Sequence, residues 1–335
     1  MSQVVGLWRD AADQGNPHAQ HNLGCLLERG RCVQQSDAEA AKWYRKAADR
    51  GLAQAQFSLG YLYEQGRGVP PSTSMAAKWY AKAAELGDAK AQCNLGVLYD
   101  QGRGVPSSPT DAVKWYRAAA RQGSADAQFN LANLHTKGRG VRRSDADAVR
   151  WYHKAAASGH TAAEYNLGVL YEYGRGVEQS DQSAAFWYQE AADGGHPAAQ
   201  NNLGLCFEYG RGVAASDKEA ALWYRRAALA GNARAQANLA YMYECGRAQA
   251  PIWVGQPAMN GVPPPPAFDP ELKGANLKEA VKWYRLATAQ GDAAAAEALA
   301  DAMAALEDHQ TRHRAQAQAQ RGSGGHAGRG DAKAD

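Results

Sequence analysis

The chain has 335 residues, 45% of them hydrophobic, which suits either two globular domains or one elongated repeat array. The formal net charge is +3, the opposite charges are interspersed, and no long basic block occurs, which argues against a nucleic-acid-binding protein. Residues 1–15 lack a secretion-signal pattern and no run of about 18 apolar residues occurs, so we expect a cytoplasmic protein without direct membrane insertion.

Tryptophan recurs with a period of 36 residues along most of the chain. The last member of the series follows after 60 residues, which is one period of 36 plus an insertion of 24. The recurring tryptophans are Trp43, Trp79, Trp115, Trp151, Trp187, Trp223 and Trp283. A fixed period of this length is typical of solenoid proteins, in which each repeat packs only on its neighbours.

The first predicted element, residues 7–15, matches only the second half of the repeat unit, and we expect it to cap the array. Each complete unit then begins with a helix, called helix A, of which residues 53–66 are an example. One face of this helix carries apolar residues at i, i+4, i+7 and i+8, namely Ala55, Leu59, Leu62 and Tyr63. Gly66 then occupies the position of a left-handed C-terminal cap.

A polar residue suited to capping an amino terminus indicates the second helix of each unit, called helix B. Serine and asparagine side chains accept hydrogen bonds from otherwise unpaired backbone N–H groups there. The predicted caps are Ser36, Ser72, Ser108, Ser144, Ser180, Ser216 and Asn276. Two antiparallel helices cannot bury their apolar faces alone, so successive hairpins must stack. The sequence therefore predicts an all-α solenoid of about seven helix pairs, with terminal half-repeats, over residues 1–307.

The 24-residue insertion interrupts the seventh repeat within about residues 248–274 and includes the run Pro263–Pro266. Consecutive prolines favour extended polyproline II structure rather than helix. The insertion is either a tolerated surface loop or a functional segment, anchored by Trp253 and Phe268, that docks a partner or folds over the groove as a flap. Residues 308–335 follow the last predicted helix, lack periodic apolar residues, and are predicted to be a disordered low-complexity tail.

The most regular repeat reads AKAQCNLGVLYDQGRGV at Ala89–Val105 and is followed by a helix of the A-x-K-W-Y-R type. This pattern resembles the Sel1-like repeat family, which is related to tetratricopeptide arrays. The resemblance implies a right-handed α/α superhelix with the A helices on its concave surface. It also implies a protein-interaction scaffold or adaptor that binds a partner segment in that concave groove. The alternative is a hydrolase or cell-wall-binding protein of the bacterial Sel1-repeat type.

Aromatic residues recur on the side of helix A that does not carry the core alanines and leucines. They occupy positions equivalent to residues 57, 61, 64 and 65 of the second repeat. The candidate partner-binding residues of the concave face are Phe57, Tyr61, Phe129, Tyr165, Tyr173, Tyr209 and Tyr241. Aromatic side chains in a groove are common anchors of peptide recognition. The alternative is that some of them pack between adjacent repeats.

An acidic residue near the end of helix A is followed three residues later by an arginine, as in Glu64 and Arg67. The spacing predicts a salt bridge within each repeat, because residues three apart are neighbours on a helix. Recruitment of a basic ligand by free carboxylates is the alternative.

No group of unlike side chains with the spacing of a catalytic, cofactor or metal site occurs in the sequence, so we expect no enzymatic activity, cofactor or metal. His135 stands where other repeats carry an aromatic residue and is interpreted as its partly buried substitute rather than a general base. The five cysteines are irregularly spaced, which indicates reduced thiols rather than disulfides or a zinc site. The expected partners are other proteins or peptide segments, and the sequence leaves the oligomeric state open.

Overall fold

The computed structural model describes residues 2–248 and 273–324, and within these ranges it is all-helical, without strands. The helices are α1 (Ser2–Asp13), α2 (Pro17–Arg29), α3 (Asp37–Asp49), α4 (Ala53–Gln65), α5 (Thr73–Glu85), α6 (Ala89–Gln101), α7 (Pro109–Arg121), α8 (Ala125–Lys137), α9 (Asp145–Ala156), α10 (Thr161–Glu172), α11 (Asp181–Asp193), α12 (Pro197–Tyr209), α13 (Asp217–Leu229), α14 (Ala233–Glu244), α15 (Lys273–Ala289) and α16 (Ala293–Gly324). Even-numbered helices are A helices and odd-numbered ones are B helices. The chain divides into two compact units, unit 1 up to Gln179 and unit 2 from Ser180. The predicted all-α hairpin repeat is confirmed.

Local capping sets the helix ends. Gly66 ends α4 in the left-handed conformation, with φ +66°, and its N–H donates to the carbonyl of Leu62. Ser72 precedes α5, and its hydroxyl accepts a hydrogen bond from the backbone N–H of Met75 at 3.2 Å. These two residues are where the sequence predicts them, because a cap depends on interactions within a few residues.

Each hairpin closes where a tyrosine of helix B lies against a small residue of helix A. In the second repeat, a Cβ atom added at Gly60 would lie 2.8 Å from the ring of Tyr80, which is fully buried. Since such a contact is far inside van der Waals distance, glycine sets how closely α4 and α5 approach. Leu59 and Ala76 fill the neighbouring core positions without solvent exposure.

Buried glutamines link six of the A helices to the B helix of the preceding repeat. The side-chain amide of Gln56 donates to the carbonyl oxygen of Ala48 at 3.1 Å. The same bond recurs at 3.0 to 3.2 Å in the pairs Gln20 with Ala12, Gln92 with Ala84, Gln128 with Ala120, Gln200 with Ala192 and Gln236 with Ala228. The same carbonyl also accepts the backbone N–H of the glycine three residues later, as Ala48 does from Gly51, so the glutamine adds a second hydrogen bond that links the two repeats.

The end of the array differs from the prediction. Helix α16 continues to Gly324, well beyond residue 307, into the segment predicted as a disordered tail. The guanidinium of Arg312 pairs with Asp308 one turn earlier, and alanine, glutamine and arginine have high helix propensities. Residues 325–335 and nearly all of the proline-rich insertion lie outside the described residues.

Candidate functional site

The arginines that follow the A helices pair with the preceding repeat, so the predicted salt bridge within each repeat is wrong. Arg67 donates from Nη1 to Glu28 Oε1 at 3.0 Å and from Nη2 to Asp37 Oδ1 at 2.8 Å. Glu28 also accepts a hydrogen bond from the phenol of Tyr44 at 2.8 Å. The left-handed residue Gly66 turns the chain between Glu64 and Arg67, so the rule for neighbours on a helix does not apply.

The same network recurs further along both units. Arg103 pairs with Glu64 at 3.2 Å in unit 1, and Arg247 pairs with Glu208 at 2.7 Å in unit 2. The phenol of Tyr224 donates to the other oxygen of Glu208 at 2.7 Å. Burial, followed by the hydrogen bond to this carboxylate, raises the pKa of Tyr224. These carboxylates therefore hold repeats together rather than remaining available to a basic ligand.

Three of the seven candidate aromatics are half-buried, and two of them pack against other aromatic rings. Phe57 lies 5.7 Å from the ring of Tyr80, measured between ring centroids, and contacts the core of unit 1. Phe129 stacks on His160 at 4.5 Å and lies 5.9 Å from Tyr152. Tyr165 is also half-buried. Contacts of this kind stabilise the repeats and reduce the area these rings present to a ligand.

The other four candidates are exposed tyrosines. The exposed fractions are 39% for Tyr61, 66% for Tyr173, 64% for Tyr209 and 50% for Tyr241. The first two belong to unit 1 and the last two to unit 2. Large aromatic side chains left in solvent cost free energy, and an exposed group of them commonly marks an interaction site.

Tyr209 and Tyr241 in unit 2 accompany the same salt-bridge network, and we call them the tyrosine patch. Tyr209 follows Glu208, whose side chain is only 5% exposed because it holds Arg247 and Tyr224. The phenol of Tyr241 hydrogen-bonds with Cys245, which raises its pKa, and the charges of Arg247 and Glu208 also act on this phenol. The neighbours of the tyrosine patch are thus held in place by their own hydrogen bonds.

The B helices carry a row of cation–π contacts. The ammonium of Lys46 lies 3.8 Å from the centroid of Trp43, and the guanidinium of Arg226 lies 4.4 Å from that of Trp223. Helix α11 differs, because Glu190 stands three residues after its tryptophan, where these two helices carry a cation. Phe186 precedes the same tryptophan and is 54% exposed. Phe186 is therefore an exposed aromatic residue on a B helix, to compare with the tyrosines on A helices.

Residues 2–248 and 273–324 contain neither a metal site nor a membrane span. None of these residues forms a group of three or more histidines, cysteines or carboxylates able to hold a metal ion. No helix in the same ranges combines the length and the apolar character that a membrane span requires.

The Sel1 repeat family model matches the chain in eight segments, residues 17–52, 53–88, 89–124, 125–160, 161–196, 197–232, 233–251 and 272–292. The chain belongs to the Sel1 repeat family. The last two segments are the halves of the one repeat that the insertion interrupts, so the Sel1 repeats number seven, as predicted.

Two solved Sel1 repeat structures are similar to this chain over most of its length. A Sel1 repeat protein from Oxalobacter formigenes is 33% identical with a TM-score of 0.69, and the match covers 90% of this chain and 80% of that one. A protective antigen of uropathogenic Escherichia coli with an SLR fold is 30% identical with a TM-score of 0.73, over 88% of this chain. The chain spans 66% of the length of that antigen. No curated protein matches the chain significantly.

Sequence reasoning missed the glutamine row and the role of the aspartates at the start of the B helices. Gln56 and its equivalents recur every 36 residues beside a buried alanine, with Glu164 as the exception, so their period was a visible signal. Asp37 recurs less regularly, and its contact with Arg67 spans 30 residues, which no local pattern indicates.

Proposed function

We propose that this Sel1 repeat protein is a cytoplasmic interaction scaffold without enzymatic activity or cofactor, and that the exposed tyrosines of its A helices bind a partner protein or peptide segment. The observation that carries the proposal is the exposure of Tyr61, Tyr173, Tyr209 and Tyr241, which lie in the A helices or directly after one. Membership of a repeat family whose members commonly act as scaffolds supports it. The half-buried candidates Phe57, Phe129 and Tyr165 contribute to the scaffold beneath.

The tyrosine patch of unit 2 suits this role because its surroundings are ordered before a partner arrives. Glu208 is held by Tyr224 and Arg247 at 2.7 Å each, so binding beside it does not have to immobilise these side chains. A tyrosine has few rotatable bonds and combines a large apolar ring with a hydroxyl group. Such side chains are frequent hot spots of protein interfaces.

The chemistry of the patch favours a partner that supplies apolar and hydrogen-bonding groups rather than a strong charge. Glu208 and Arg247 neutralise each other, which leaves the phenol groups and rings of Tyr209 and Tyr241 as the main contact groups. A polypeptide segment meets both requirements through its side chains and its backbone amides. We therefore propose a protein or peptide partner, not a nucleic acid and not a membrane.

The first experiment identifies partners and locates the contact. A photo-crosslinking amino acid at position 209 is expected to capture a partner in cells, and the same probe at Phe186 serves as the matched control. Capture at position 186 with none at position 209 would contradict the assignment of the binding surface to the A helices.

The second experiment measures affinity with the purified partner. We expect Tyr209→Ala with Tyr241→Ala to weaken binding about 30-fold or more, because the loss of even one hot-spot side chain costs about 2 kcal/mol. Phe186→Ala removes an equally exposed aromatic ring and is expected to leave affinity unchanged. Equal affinity of the double variant and the wild type would refute the role of the patch. Turnover of reporter esters or β-lactams, or co-sedimentation with cell wall, would instead favour the hydrolase or cell-wall-binding alternative.

A further inference from the structure

In two places an arginine of helix B makes a hydrogen bond with a tyrosine of the next helix A. Arg45 donates to the hydroxyl of Tyr63, and Arg225 donates to the hydroxyl of Tyr243. The equivalent residues 72 positions after the first pair are Arg117 and His135. An imidazole is shorter than a phenol and has no hydroxyl group at its far end. Arg117 consequently makes no hydrogen bond or ion pair with any described residue.

The ring of His135 is buried and hydrogen-bonded. It is 9% exposed, and a ring nitrogen bonds to the backbone of Arg142. Its Nδ1 atom is buried and has no hydrogen-bond partner among the described residues. Burial lowers the pKa of His135, so the ring is neutral near pH 7 and adds no charge.

A cavity of about 480 Å³ lies beside His135. Its lining includes Arg117 from α7 and the pair Arg142 and Arg143 from the loop before α9. Arg142 has no ion-pair partner among the described residues, and Arg143 only approaches Asp145 at 3.9 Å. Three guanidinium groups with little or no internal pairing thus surround one cavity.

The arginine pair is peculiar to this loop. The equivalent positions of the other complete loops carry neutral or acidic residues, namely Gln34 and Gln35, Pro70 and Pro71, Pro106 and Ser107, Glu178 and Gln179, and Ala214 and Ala215. The loop itself folds alike in these repeats, since each serine that follows caps a B helix. The arginines are therefore not required for the turn.

The residues that line the cavity carry a net positive charge. Three arginines oppose one carboxylate, Asp147, giving +3 − 1 = +2 for the lining. Asp147 also pairs with Arg150 at 3.3 Å, which reduces its repulsion of an anion. Ser144 contributes a hydroxyl group to the same lining, and this hydroxyl accepts the backbone N–H of Asp147 at 3.1 Å while keeping its own hydrogen to donate.

We propose that the cavity formed by Arg117, His135, Arg142 and Arg143 binds a phosphate monoester group. A dianion matches the charge of +2, and guanidinium groups bind phosphate oxygens through paired hydrogen bonds. The cavity is larger than a phosphate group alone, so it leaves room for the alcohol that carries the phosphate. That alcohol belongs either to a small metabolite or to a phosphorylated side chain of a peptide. The site does not involve the tyrosine patch.

Two variants test the site without disturbing the fold. Arg142→Gln with Arg143→Gln copies Gln34 and Gln35 of the first repeat, whose loop is folded. His135→Tyr introduces the residue that stands at the equivalent positions 63 and 243, which occupies part of the cavity and offers Arg117 the hydroxyl that Tyr63 offers Arg45. We expect the second variant to be at least as stable as the wild type and to lose ligand binding.

Binding of phenyl phosphate is measured by isothermal titration calorimetry at fixed ionic strength, with benzoate as the anion control. The arginine variant is expected to bind on the order of a hundredfold more weakly, since two charge-assisted hydrogen bonds are lost. The control variant Lys218→Gln with Arg234→Gln removes the same charge from unit 2 and should bind as the wild type does. Binding that is equal in the wild type and both site variants, or no tighter than binding of benzoate, would overturn the proposal.

A comparison with peptides identifies the molecule that carries the phosphate group. A short phosphoserine peptide and its unphosphorylated form are compared with phenyl phosphate and inorganic phosphate. Tighter binding of the phosphopeptide than of phenyl phosphate assigns the site to a phosphorylated side chain. Equal binding of the two assigns it to a small phosphate monoester.

Discussion

Replacement of Leu86 by glutamine is expected to stabilise the protein by completing a hydrogen-bond network that other repeats already have. In the third repeat, the amide of Gln122 donates to Gln92 Oε1 at 2.9 Å and to the carbonyl of Gly87 at 3.0 Å. In the second repeat the corresponding acceptor, Gln56 Oε1, is buried and has no partner among the described residues. The donor position is occupied by Leu86, which is 59% exposed.

The backbone already has the conformation that the new side chain needs. Leu86 has φ −81° and ψ 2°, and Gln122 has φ −88° and ψ 6° at the same position after helix B. Two new hydrogen bonds contribute about 1 to 3 kcal/mol together, and ordering the glutamine side chain costs about 1 kcal/mol. We therefore expect Leu86→Gln to raise the free energy of unfolding by about 1 kcal/mol.

Urea unfolding followed by far-UV circular dichroism measures the effect, with the shift read from the transition midpoint at constant slope. Ala230→Gln offers an independent copy of the experiment, because Gln200 Oε1 is also buried without a partner among the described residues. Gln122→Leu is the reverse change and should lower the free energy of unfolding by a similar amount. If Leu86→Gln destabilises the chain while Gln122→Leu is neutral, the hydrogen-bond argument is refuted.

Two further predictions concern the loops and the histidines. Gly104→Ala should lower the free energy of unfolding by about 3 kcal/mol or more, because the new Cβ would overlap the backbone carbonyl of Thr73. At Gly87 the space around a new Cβ is open, so Gly87→Ala should cost only the left-handed backbone strain of about 1 kcal/mol. Urea unfolding measures both changes. Burial lowers the pKa of His135 and His153 below 6.5, so the unfolded chain binds these protons more readily and stability should fall as the pH drops from 7.5 to 5.5. His153→Gln should flatten that pH profile, and an unchanged profile would contradict the assignment.

Much of the fold was predictable because its signals are local. The serine caps, the glycine caps and the apolar face of helix A each depend on residues within about one or two turns, so Ser72 and Gly66 were assigned correctly. The end of α16 was not, because a segment without apolar periodicity can still be helical when alanine and glutamine dominate it. The aromatic stripe was visible in the sequence, but the difference in exposure between Phe57 and Tyr209 was not.

The sequence by itself determined the 36-residue period, the two helices of each repeat and the family, since these follow from residue types at fixed spacings. Only the tertiary structure decided that Arg67 pairs with Glu28, which lies 39 residues earlier, and that Arg117 faces a cavity. The physical reason is that a capping glycine redirects the chain toward the preceding repeat. Side chains that are far apart in the sequence then come close together. The lengths of these side chains determine whether they form a hydrogen bond or leave a cavity between them.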